Sequence, residues 1–197
     1  MQKNSILFIA ICIVLILSSC SSDKDEISAK YQLSSAKNNV EWTAYKTTEK
    51  TPVKGTFSSI EVTSHGEGNT LKEAIENVEF NIPISSVKSE GREYNIINFF
   101  FKAMDNTSLL SGKIKLTDDT TGYVEITMNG TRENLPFTYT IEGEKFKLNA
   151  TMDLSKWKAD KAIKSLNNQC KLLHQGSDGI TKLWNDVSLE ITSNFNQ

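Results

Sequence analysis

The chain has 197 residues, 38% of them hydrophobic and 23% charged, with 22 basic against 24 acidic side chains and a formal charge of −2. That composition suits one globular domain around one core. So even a balance excludes both the basic footprint of a nucleic-acid binder and the polybasic face that anionic membranes attract.

At the N-terminus Lys3 gives a short positive region, and Ile6 to Leu17 is an almost unbroken apolar run. About a dozen residues are too few to span a bilayer comfortably as a helix and suit a secretory h-region. The run ends in Leu17-Ser18-Ser19-Cys20, which resembles the bacterial lipobox. The resemblance implies a signal peptide over 1–19, lipid on the Cys20 thiol, and a flexible polar tether over 20–30. Two or three acyl chains, at roughly 0.8 kcal/mol per buried methylene, would then hold the protein on a membrane. Ser21 in place of Asp favours, by resemblance to Gram-negative sorting rules, the outer membrane of the cell envelope. Ser22 to Glu26 loosely resembles the acidic surface-export tags of Bacteroidetes lipoproteins, and both the periplasmic and the surface face stay open. Removing the signal peptide takes away Lys3 and leaves 21 basic against 24 acidic residues, or −3. Cys12 leaves with it and Cys20 is lipidated, so Cys170 is the one thiol of the domain and no internal disulfide is expected.

The domain, 31–197, opens near Tyr31. Val40, Trp42 and Ala44 alternate with Glu41, Thr43 and Tyr45 as a first strand, and Val53 to Val62 reads as a second, with Gly55 suggesting a bulge or tight bend. Ser64 to Asn69 is loop, and Leu71 to Asn77 is a helical turn behind Thr70 as N-cap. A third strand carries Val78, Phe80, Ile82 and Ile84. Between Ser89 and Met104 the spacing of Tyr94, Ile97, Phe100 and Phe101 becomes helical, with Ser89 as cap and Glu90 and Glu93 in the first turn. Strand patterns resume at Leu109 to Leu116, Gly122 to Met128, Leu135 to Ile141 and Glu144 to Leu154, with Asn129-Gly130 and Glu142-Gly143 as turns. Asp160 to Gln175 is helical, with Ala162, Ile163, Leu166, Cys170 and Leu173 on roughly one face. A last strand holds Val187, Leu189 and Ile191.

The pattern is all-β: about eight antiparallel strands with two inserted helices. Each strand has one wet face, and eight such strands can close into a barrel without exposed edges. The outward residues are Lys, Glu, Asn and Thr, unlike the apolar exterior of a membrane-spanning barrel. An eight-stranded interior is just wide enough for packed side chains or one small elongated ligand.

Val40-Glu41-Trp42-Thr43-Ala44, Val53-Lys54-Gly55-Thr56-Phe57, Ile84-Ser85-Ser86-Val87 followed by Arg92, Thr127-Met128-Asn129-Gly130-Thr131 and Trp184-Asn185-Asp186-Val187 together resemble the YceI-like family. The resemblance covers about Tyr31 to Ile191. It implies a lipocalin-like antiparallel barrel of bacterial envelopes that holds polyisoprenoid or other lipid chains. Ala44 and Tyr45 depart from a His-bearing strand seen in many relatives, and the stretch from Asp160 to Gly179 resembles a lipoprotein subgroup.

Catalytic constellations are thin. His65 lies in a Gly-rich loop and His174 near a helix end, with no nucleophile motif beside either, and no phosphate-binding or dinucleotide fingerprint occurs. The expectation is a non-enzyme without cofactor, its partner an isoprenoid or other lipid ligand, its oligomeric state undetermined. Inward candidates to line a cavity are Trp42, Phe57, Phe80, Ile82, Phe100, Phe137, Tyr139, Phe146, Leu148 and Met152. The same residues would serve a filled core equally well. The alternative function is a barrel scaffold whose loops contact an envelope protein. A third reading places a soft metal between Cys170 and His174, which share a helix face at i and i+4, but two ligands make half a site. The sequence favours a buried packing thiol with a cationic His174 at the helix end.

Overall fold

The computed structural model describes residues 29–106 and 108–195. The expected signal peptide, the expected lipidation site at Cys20 and all but the end of the expected tether lie outside the described residues.

In chain order the elements are β1 (Tyr31–Gln32), β2 (Lys37–Lys46), β3 (Thr51–Phe57), β4 (Glu61–Ser64), β5 (Glu67–Gly68), α1 (Leu71–Ile75), β6 (Glu79–Pro83), β7 (Val87–Lys88), α2 (Glu93–Asn95), β8 (Leu109–Leu116), β9 (Thr121–Met128), β10 (Thr131–Glu142), β11 (Lys145–Asp153), α3 (Asp160–Gln169) and β12 (Leu183–Asn194). β1 and β5 form a small ladder of their own. The other ten strands make one curled antiparallel sheet in the order β4-β6-β8-β9-β10-β11-β12-β2-β3-β7.

Ten strands rather than eight appear because one predicted strand is broken and another is followed, beyond its predicted end, by a further short strand. The stretch read as Val53 to Val62 is β3 and β4 separated at 58–60, and the stretch through Ile84 is β6 continued, after a single 3-10 turn at Ile84–Ser86, by β7. The two segments lie side by side: Thr56 and Phe57 pair with Lys88 and Val87, while Glu61, Val62 and Ser64 pair with Asn81, Phe80 and Glu79. The sheet therefore begins and ends on the same two segments and comes round as an eight-membered ring. Across the unladdered gap Ser58 N and Ser58 Oγ both donate to Ser86 O, at 2.9 and 3.1 Å, while Ser86 Oγ closes its own turn by donating to Pro83 O at 2.7 Å. These bonds satisfy backbone groups that a bare break would leave open.

Alternation places the core as the sequence predicts. Along β11, Phe146, Leu148 and Met152 are buried while Lys145, Asn149 and Thr151 are exposed. The β9–β10 hairpin turns on Asn129 and Gly130, whose φ values of 51° and 65° suit a side chain that tolerates the left-handed region followed by one that has none. Gly55 is not a bulge. It pairs in regular register with Trp42, and a Cβ there would collide with the indole.

The helices plug the two ends. α1 begins at Thr70 with a full capping box, Thr70 Oγ1 accepting from Glu73 N at 3.2 Å while Glu73 reaches back to Thr70 N. It drives Ile75, with Leu33 and Val78, into one end beside Phe137, Tyr139 and Phe146. At the other end α2 continues into a π turn at Ile96–Phe100 and a 3-10 turn at Phe101–Ala103, packing on α3. Ser89, the expected cap, instead donates from Oγ to Lys54 O at 2.8 Å, and the helix starts after Arg92. α3 stops at Gln169, short of the predicted Gln175, and a 3-10 turn over Lys171–His174 follows.

Candidate ligand-binding cavity

Between the two plugs lies an apolar cavity of about 300 Å³. Volumes of a few hundred Å³ are those of small-molecule sites. β2 supplies Val40, Trp42 and Ala44 from its inward face, β12 supplies Val187, Leu189 and Ile191, and β11 supplies Phe146, Leu148 and Met152. These strands are neighbours, β12 lying between the other two with Leu189 opposite both Trp42 and Ala150. The wall is thus built by period 2 in three adjacent strands, not by any one motif.

Of the ten residues expected to line a cavity, Trp42, Phe57, Phe80, Ile82, Phe100, Phe146, Leu148 and Met152 do so. Phe137 and Tyr139 do not. They fill the α1 end, their rings 6.1 Å apart, with Tyr139 tilted 5.3 Å from Phe146 and its hydroxyl donating to Asp118 O at 2.7 Å. Parity along β10 is right for both, but position along the barrel axis puts them in the plug. Desolvation raises the Tyr139 pKa above its ordinary value, in keeping with that packing.

At the α3 end the lining turns polar, with Tyr45, Lys46, Arg92, Asn95, Cys170, His174 and Trp184 around the mouth. Sequence reasoning missed most of these. Arg92 Nη1 is held by Ser89 O at 3.1 Å and Glu90 at 3.3 Å, and Lys46 Nζ donates to Leu173 O at 2.9 Å. His174 is 8% exposed. Burial, and then the nearby Lys46 charge, push its pKa down to about 4, so near pH 7 it is neutral and is not the helix-capping cation expected. Its Nδ1 lies 2.9 Å from Asn167 Oδ1, which can only accept, so the neutral ring carries its proton on Nδ1. Cys170 is buried, and burial raises its thiol pKa, which makes it an inert packing group. No group of three or more His, Cys, Asp or Glu among the described residues could hold a metal ion. The Cys170–His174 pair gains no third ligand.

A small loop follows His174, which lines the mouth. Gln175 and Thr181 form a bridge, Lys182 N donates to His174 O at 3.1 Å, and Leu172 and Leu173 on the preceding 3-10 turn and Ile180 in the loop are exposed.

Comparison with known proteins follows the geometry. The sequence profile of the YceI-like domain matches residues 31–195. No curated protein gives a significant match to the sequence. Among solved structures, the crystal structure of Burkholderia cenocepacia BcnA superposes with a TM-score of 0.51 at 12% identity, covering 83% of this chain and 98% of that one. At that identity the likeness concerns the fold alone.

Proposed function

The chain belongs to the YceI-like family, a family of binding proteins, and from that premise we propose that it is an envelope lipoprotein whose barrel binds or carries one hydrophobic isoprenoid or acyl chain. The observation that carries this reading is the cavity: about 300 Å³ walled by apolar side chains from eight strand segments, stoppered by α1 at one end and reached through a polar mouth at the other. A filled core would have closed that space, because voids of this size forgo dispersion contacts and destabilise a fold. At roughly 30 Å³ for a group the size of a water molecule, the space holds on the order of ten methylenes.

Anchoring through Cys20 would tether the barrel from its α1 end. The described chain enters at the α1 end, where Tyr31 packs edge-on against Phe195 with ring centroids 5.7 Å apart. The mouth is at the other end of β2, nine residue steps or about 30 Å away. A tether of about ten residues spans at most ~35 Å, so the mouth can either face away from the anchoring membrane or fold back to it.

Native mass spectrometry of the full chain, released gently from detergent, tests the proposal. An adduct of apolar composition is expected, and Ala44→Phe, which puts a ring into the cavity, should lose it. A clean unliganded mass from several preparations would overturn the carrier reading. It would favour the scaffold alternative, for which the exposed Leu172, Leu173 and Ile180 are the contact surface to test.

A further inference from the structure

The inward series of β2 runs Asn38, Val40, Trp42, Ala44, and its next member, at the rim, is Lys46; all five line the cavity. An ammonium has three donors and a charge that apolar walls cannot solvate, so at such a position it calls for an anion or water. Lys46 gives one donor to Leu173 O at 2.9 Å and has no carboxylate at ion-pair distance among the described residues. Neighbouring cations are matched. Arg92 meets Glu90 at 3.3 Å, Lys50 meets Asp186 at 2.7 Å, and Lys182 lies 3.4 Å from the centroid of the Trp184 ring. The Lys46 charge bears on both His174 and Cys170, two buried lining groups, and so acts into the mouth. His174, being neutral near pH 7, adds no second charge there.

Resting on the carrier reading above, we infer that the occupant is an amphiphile with an anionic head, a carboxylate or a phosphate monoester, seated against Lys46 with its chain running down the barrel past Trp42. The two donors of Lys46 not used by Leu173 O are the ones that meet the head. A charge-assisted hydrogen bond is roughly twice as strong as a neutral one. A neutral isoprenol or alcohol would leave the ammonium without its counter-charge.

Three probes with one tail and different heads test this: radiolabelled dodecanoate, dodecyl phosphate and dodecanol. They are offered to the full chain immobilised on a resin and stripped of lipid. The wild type should retain at least one anionic probe about ten-fold better than dodecanol. Lys46→Met should abolish that preference while keeping dodecanol binding, Lys46→Arg should restore it, and Lys182→Met, outside the cavity wall, should leave it unchanged. The better retained anion identifies the head as carboxylate or phosphate. Equal retention of all three heads, or a preference that survives Lys46→Met, overturns the inference and leaves the carrier reading standing. Retention of no probe by the wild type overturns the carrier reading and this inference with it.

Discussion

Gly55 is a glycine because Trp42 lies across it. The same arrangement recurs at two further cross-strand pairs, Phe80 over Gly112 and Phe137 over Gly122, where a Cβ would meet the ring at 2.6 and 2.5 Å. Each bare backbone gives an inward ring a flat surface to rest on. Gly55→Ala should therefore destabilise the fold by about 1–3 kcal/mol, measured by urea denaturation, because the indole must move. Trp42 Nε1 is buried with no partner among the described residues, whereas the indoles of Trp157 and Trp184 donate to Ile126 O at 3.0 Å and Thr47 O at 2.8 Å. His174 sets a pH dependence. Its folded pKa, about 4, lies below the ordinary 6.5 of an imidazole, so the unfolded chain binds the proton first and stability falls as pH drops from about 6.5 to 4. Wild type should lose about 2 kcal/mol from this group between pH 7 and 4.5, and His174→Asn should flatten that window. Glu49 and Asp118, held down at about 2 by hydrogen bonds from Ser177 and from Thr121 and Thr120, act at lower pH: their contribution is present above the ordinary carboxylate range and is lost on acidification toward 2. At Cys20, labelling with an alkynyl fatty acid should be lost in Cys20→Ala; label retained by that variant would remove the anchor from the proposal.

Among the elements, β11 states the inside-outside rule most directly. Phe146 is 1% exposed, and Lys147 beside it makes only a surface pair with Glu190 at 2.9 Å. Phe146→Ala should cost about 3–5 kcal/mol and Lys147→Ala about 0.5 kcal/mol or less in denaturation experiments. Equal losses would mean that the register, and with it the inner wall, is misassigned. Such strands were legible because one face is dry and the other wet, and β8 has the bounds its alternation predicts. The breaks at 58–60 and 84–86 were not legible, since Ser58, Ser59, Ser85 and Ser86 fit a strand's wet face as readily as a turn. The helix at α2 was placed correctly but begun too early. Ser89 looks like a cap, yet its hydroxyl is committed to Lys54 O on β3, a partner 35 residues away that spacing alone does not reveal. For the cavity, parity along a strand says which side chains face inward and not how far down the axis they sit, so Phe137 and Tyr139 were indistinguishable from Phe146. Lys46 carried a readable signal, a cation on an inward position, that the apolar pattern obscured.

Taken whole, the molecule is a ring whose wall has one weak place. Everywhere else neighbouring strands share long ladders, but between β3–β4 and β6–β7 two short ladders flank a gap held by Ser58 and Ser86. In hydrogen exchange, the amides of Ser59 and Ile60 should exchange at least about ten-fold faster than those at the centre of the β10–β11 ladder. Equal protection would show that the gap is as firm as the ladders. The ring also has an order of assembly. β2 can be flanked on its far side only by β12, Trp42 facing Leu189 across almost the whole length of the chain. During synthesis the first long strand therefore emerges with one edge unpaired, and it stays so until the last strand has been made. The open sheet is the species that aggregation or a protease would meet, and its lifetime is set by a contact of very long loop closure, which slows folding. A chain threaded through a membrane N-terminus first would carry that exposed edge across before the barrel could exist, so its passage places the burden of protection on whatever holds unfolded chains on the far side.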